Sequence, residues 1–163
     1  MRVSLVSDTG PIIALAIIGR LDILQSIFES VIISEDVHKE LLEGGPSGHG
    51  LVPYQEAKCL KVQPVSSPID PLLANVLDTG EASVIQLARE TKADYVLIDE
   101  RKARKIARDI FGLRVIGTVR ILVEAKRKGA IDCVRDALSR LKEAGYWIHD
   151  DIVRHALKEA GEE

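Results

Sequence analysis

Aromatic side chains are scarce in this 163-residue chain, at 4% (two Phe, three Tyr, one Trp). The core must therefore be built from Ile, Leu, Val and Ala, and a nucleic-acid partner would find few rings for base stacking. Cysteine is nearly absent too. Cys59 and Cys133 lie far apart without ligand spacing, which disfavours a disulfide or a zinc site and favours buried, reduced thiols. No apolar run approaches a membrane span, so no membrane partner is expected. The apolar start is interrupted by Asp8 and Pro11, with no small-x-small cleavage site beyond. A signal peptide is rejected on that ground, and a cytoplasmic location is expected. Charge imbalance is also lacking: a net charge of -3 argues neither for nor against a polyanionic partner.

What remains is a composition of 46% hydrophobic and 29% charged residues, ordinary for one compact domain. Residues 3–7 read as a buried strand, and 31–33, 60–62, 95–98 and 113–116 as further short strands. Helical segments alternate with them, among them one capped by Ser34, one over 80–91 and a basic one over about 100–111. Three more helices, near 118–128, 132–144 and 149–160, complete the chain. This alternation predicts a central parallel sheet covered by helices on both faces, a three-layer α/β/α sandwich. The glycine-rich stretch 44–50 lacks the Lys-Ser/Thr ending of a phosphate-binding loop and reads as a connector.

Four acids stand out against this frame. Asp8 closes the apolar run Val3-Ser4-Leu5-Val6-Ser7, and Asp99 closes Tyr95-Val96-Leu97-Ile98. Glu40 and Glu81 fall on or beside the apolar stripes of their helices. Each has an ordinary reading: Asp8 and Asp99 as helix N-caps, Glu81 as a first-turn acid, Glu40 as a solvated side chain. Their coincidence changes the weighting, because parallel topology carries all four toward the rim where α/β sheets bind ligands. Carboxylates converging there need a cation or shared protons. Hard oxygen donors without a His/Cys cluster favour Mg²⁺ or Mn²⁺.

At these residues the chain resembles the PIN-domain family. Val6-Ser7-Asp8-Thr9-Gly10-Pro11-Ile12-Ile13-Ala14-Leu15 is similar to the first acidic motif of that family. Val37-His38-Lys39-Glu40-Leu41 is similar to the second, Gly80-Glu81-Ala82-Ser83-Val84-Ile85 to the third, and Leu97-Ile98-Asp99-Glu100 to the fourth. The resemblance is nearest to the PIN-like branch with a DTGP opening, alongside toxin ribonucleases of VapC type. It implies a PIN-like domain over 1–130, with 131–163 as a helical extension packed on the same domain. It further implies a metal-dependent ribonuclease, often a homodimer, with a protein inhibitor (antitoxin) as a further partner. Asp8, Glu40, Glu81 and Asp99 would be the metal ligands and catalytic residues, with Thr9 and Glu100 as accessory groups. The third acid is Glu where many members have Asp, and Ile98-Asp99-Glu100 leaves open which acid faces the metal.

Between Arg101 and Lys128 lie ten Lys and Arg residues opposed only by Asp109 and Glu124. Arg101, Lys102, Arg104, Lys105 and Arg108 directly follow Asp99 and are the expected phosphate contacts of a single-stranded or structured RNA, a solvated helix face being the alternative. Two Asp-Thr-Gly tripeptides, at 8–10 and 78–80, suggest an aspartic protease, but both lead into helices. A phosphatase with Asp8 as nucleophile lacks a second Asp two residues on, where Gly10 stands. The rival that remains is a PIN-like module that binds RNA or protein without cutting. The apolar positions of the last helices, including Leu138, Leu141, Trp147, Ile152 and Leu157, are expected to pack on the domain.

Overall fold

In the computed structural model, residues 3–43 and 51–162 are described, Leu51 by its backbone alone; the stretch read as a connector, 44–50, lies outside them. The strands are β1 (Ser4–Ser7), β2 (Ser30–Ser34), β3 (Leu60–Gln63), β4 (Tyr95–Leu97) and β5 (Val115–Ile116). They form one all-parallel sheet in the order β3-β2-β1-β4-β5. β1 and β2 are buried almost throughout, as strands covered on both faces must be, and so read as unbroken apolar runs.

Ten helices, α1 (Thr9–Ile17), α2 (Ile23–Ile27), α3 (Glu35–Leu42), α4 (Leu51–Glu56), α5 (Pro71–Val76), α6 (Thr79–Thr91), α7 (Arg101–Asp109), α8 (Thr118–Arg127), α9 (Val134–Glu143) and α10 (Asp150–Glu159), flank the sheet among the described residues. The result is the three-layer sandwich that the alternation predicts. α1 is apolar nearly all round and correspondingly buried. α6 lies against β1, β2 and β4, and ends on Lys92 in the left-handed conformation (φ 52°), which turns the chain into β4. α5 was not foreseen: its Pro/Ser-rich approach reads as loop, yet Asp70 caps it and Pro71 sits at its first position.

α9 and α10 pack on α8, and α9 also reaches α1. Val134, Leu138, Leu141 and Leu157 are buried there as expected. Two positions depart from that expectation: Trp147 is 80% exposed and Ile152 52%. Glu162 fastens the far end. Its carboxylate accepts the Val134 and Arg135 amides at 2.7 and 3.0 Å and pairs with Lys126 Nζ at 2.9 Å. Against the cost of burial, these donors hold its pKa down at about 2. Both cysteines are free thiols, half-buried rather than buried. Among the described residues no helix is long and apolar enough to cross a membrane.

Candidate active site

The sheet order reverses direction at β1: the chain steps from β1 to β2 and β3 on one side, then returns to β4 and β5 on the other. Crevices at such a reversal, beyond the carboxyl ends of the strands, are where parallel α/β sheets bind ligands. Asp8 follows β1 directly, and its amide donates to Leu97 O of β4 at 2.9 Å. Asp99 lies just past the end of β4. The two strand-end acids therefore flank the reversal. Asp8 also caps α1, its Oδ1 accepting the Thr9 amide at 2.9 Å, so its ordinary role and its position at the rim coexist.

Two helices bring the other acids in, and a chain of hydroxyls sets them against each other. Ser34 caps α3 by accepting the Val37 amide at 3.1 Å. Ser83 of α6 donates to Gly80 O at 2.7 Å, which spends its only hydroxyl hydrogen. The 2.7 Å contact between the two hydroxyls must then be donated by Ser34. Both serines are fully buried, so this chain fixes the start of α6 to the start of α3. Ser83→Ala would orphan the Ser34 hydroxyl, and urea unfolding should show a loss of about 1–3 kcal/mol.

Across this junction Glu40 stands over Gly80. A Cβ at Gly80 would come within 2.2 Å of Glu40 Oε1 and 3.5 Å of Asp78 Oδ1. Glu40 Oε2 accepts the Thr9 hydroxyl at 2.8 Å, which ties α3 to α1. Asp78 caps α6 by accepting the Glu81 amide at 2.8 Å. Its sequence signal is the second Asp-Thr-Gly tripeptide, three residues before Glu81, which reads in sequence only as a protease motif and so does not reveal its place among the acids.

Burial and acidic company govern the protonation of this rim. Burial pushes Asp8 up to about 7, against the pull of the Thr9 amide and with help from Glu40, Asp78 and Asp99. Glu81 is pushed up to about 8 by burial first, then by Asp78, Asp8 and Glu100. Burial raises Glu40 as well, with Thr9 opposing and Asp78, Asp36 and Glu43 assisting. Glu100 goes the other way: burial resists, but the Ala103 and Lys102 amides at 2.8 and 3.0 Å hold it below the usual range. Glu81 Oε2 is the one buried side-chain oxygen or nitrogen among the described residues with no hydrogen-bond partner. Its acidic neighbours, Asp78 and Glu100, offer no hydrogen when ionised.

Asp99 is not an N-cap; Glu100 takes that role for α7. Instead the Asp99 carboxylate accepts the Thr118 amide at 2.7 Å, the Thr118 hydroxyl and the Tyr146 hydroxyl. Burial, with Asp99 beside it, raises the Tyr146 pKa. Neither Thr118 nor Tyr146 is signalled by the sequence, since only the fold carries Tyr146 back across 47 residues. On α7, Ala103, Ile106 and Ala107 face the core. Arg101, Lys102, Lys105 and Arg108 are exposed, Arg108 beside Asp109 at 3.1 Å. Arg104 is turned inward, donating to Ile98 O at 2.7 Å.

The donor set suits a hard divalent cation in kind: carboxylates only, mutually repelling, with one buried oxygen lacking any hydrogen. In the arrangement seen, no three His, Cys, Asp or Glu side chains among the described residues are gathered closely enough to hold an ion. Glu40 is tied to Thr9, and Asp99 to Thr118 and Tyr146.

Fold and site together define a parallel α/β/α sandwich with a carboxylate-rich rim at its strand reversal. The sequence model described as PIN domain matches residues 4–162, and the chain belongs to the PIN-domain family. PIN domains are generally nucleases, hence hydrolases, and typically use divalent metals. Neither the curated proteins nor the solved structures gave a match to the chain.

Proposed function

We propose that the chain is a metal-dependent ribonuclease whose centre is Asp8. The observation that carries this reading is that buried Asp8 and half-buried Glu81, which feels the Asp8 charge, are both held near neutral pKa by desolvation and by other carboxylates. Such a site favours whatever neutralises it. Asp8 and Glu81 would hold Mg²⁺ or Mn²⁺, with Glu40 and Asp99 from either side completing or orienting the shell. A bound divalent cation supplies an activated water and charge stabilisation for the departing oxygen. Thr9 fixes the Glu40 carboxylate, Thr118 and Tyr146 fix that of Asp99, and Asp78 adds negative charge beside Glu81. Glu100, tied to two amides, serves as a cap rather than a ligand. The exposed cations of α7 lie beside the rim and suit a phosphate backbone. RNA rather than DNA, toxin-type use, a protein inhibitor and a homodimeric state are supported by the family resemblance alone.

The test is cleavage of end-labelled single-stranded RNA by the purified chain in Mg²⁺, Mn²⁺ or EDTA. Cleavage should require the ion and return when Mn²⁺ is added back. Cutting that persists in EDTA would remove the cation from the mechanism. RNA binding without cutting in either ion would favour the non-cutting module.

A further inference from the structure

A cleft of about 950 Å³ is not the acid rim itself but opens beside it. Its walls come from α7, β5, α8, α10 and the segment that joins α9 to α10, and Asp99 lies in its lining. Trp147, the only tryptophan of the chain, stands in this cleft at 80% exposure with the exposed Ile152 nearby. Leaving an indole in water is costly, and here it is held out rather than left loose. Its neighbour Tyr146 is hydrogen-bonded to Asp99, and its own ring meets His149 edge-on at 5.9 Å between centroids.

The charge of the lining selects among occupants. Arg101, Arg104 and Arg120 line the cleft against the carboxylates of Asp99 and Glu159. Arg120 is committed to Glu159 at 2.5 Å, and Arg104 to Ile98 O, whereas no ion pair among the described residues engages Arg101. An exposed indole and an exposed guanidinium lining one cleft, the indole one residue from a group that holds a rim acid, match the stack-and-phosphate pattern by which proteins grip single strands. A partner helix would fit the apolar lining of Val115, Ile116, Val123 and Ile152, but it would leave Arg101 without the anion that a phosphate supplies.

We infer that this cleft is a nucleotide subsite, in which one base of a single-stranded RNA stacks on Trp147 and its phosphate meets Arg101. The inference rests on the ribonuclease reading, because it places that base next to the cleavage centre. The subsite is sequence-tolerant, since every base presents a stacking face, and it rejects duplexes, whose bases are already stacked.

With one tryptophan, indole emission reports on this subsite alone. The probe is a single-stranded RNA of about ten nucleotides, titrated in EDTA, with the same RNA annealed to its complement as control. Binding is followed in parallel by anisotropy of a label on the RNA. Single strands should quench Trp147 and duplex should not; Trp147→Ala should weaken binding about tenfold and Trp147→Phe far less. RNA that binds or is cut equally well by Trp147→Ala, or that binds the unsubstituted chain with its indole emission unmoved, overturns the subsite and leaves the ribonuclease reading standing. Absence of both binding and cutting overturns both. A change in oligomeric size on Trp147→Ala, with RNA binding intact, assigns the cleft to a second copy and also overturns the subsite.

Discussion

Asp8→Asn is expected to slow RNA cleavage at least about a thousandfold, about 4 kcal/mol of transition-state stabilisation. In the same chain the melting temperature in metal-free buffer at pH 8 should rise. The two effects have one cause. Asp8 is 9% exposed and sits among Glu40, Asp78 and Asp99, so its ionised form is disfavoured until a cation arrives. Asn keeps the oxygen that accepts the Thr9 amide, which preserves the α1 cap, but carries no charge to repel or to bind with. Moving the pKa from 3.8 to about 7 corresponds at pH 8 to an upper limit of about 4 kcal/mol of relieved strain. At about 2–4 °C per kcal/mol for a chain of this size, the gain is bounded at about 8–16 °C. Calorimetry and a cleavage time course check the pair. A variant that still cuts takes Asp8 out of the mechanism, and one that melts lower contradicts the account of its burial.

Protons and divalent cations should compete at the rim, so that metal-free stability falls with pH while the increment added by the ion rises. Asp8 and Glu81 have folded pKa values of about 7 and 8, raised from 3.8 and 4.5. Between those values the folded chain keeps protons that the unfolded chain has lost, so their stabilising contribution is complete at low pH and disappears as pH rises toward 8. Glu90, bonded to Ser66 and Ser67, and Glu162 behave inversely. Their pKa values are lowered from 4.5 to about 2, so their contribution is present above 4.5 and lost as pH falls. Metal-free stability should therefore peak near pH 5 and decline by pH 8. Mg²⁺ must displace the protons of Asp8 and Glu81, so its stabilising increment should be large at pH 8 and small at pH 5. At a hundredfold excess over its dissociation constant, the increment at pH 8 is about 2.7 kcal/mol. Melting curves in EDTA and in Mg²⁺ at three pH values suffice. An increment of equal size at every pH would show that the ion binds somewhere other than these acids.

The parts of the molecule that could be read from sequence are those where one local signal settles the structure. β1, β2 and β4 announce themselves because strands buried on both faces must be continuously apolar, and α3 because Ser34 and the acids after it mark a helix start. The strand-end positions of Asp8 and Asp99 follow from the same reasoning. What could not be read depends on contacts between distant segments. Asp78 stands in sequence only as part of an Asp-Thr-Gly tripeptide, and its cap on α6 and its place beside Glu81 and Asp8 emerge only when α6 is laid on the sheet. Arg104 belongs to a basic run, and nothing local says that it alone turns inward to Ile98. Trp147 has the hydropathy of a core residue, but its neighbour is anchored to Asp99 and the ring is left outside.

The grip of Tyr146 on Asp99 gives the final third of the chain a stake in the chemistry. A protease clip or thermal fraying that frees residues 146–148 would strip Asp99 of one of its three donors, leaving only Thr118 to hold it, while the central strands remained paired. Loss of activity should then precede loss of secondary structure on heating, with the acids failing from the Asp99 side first.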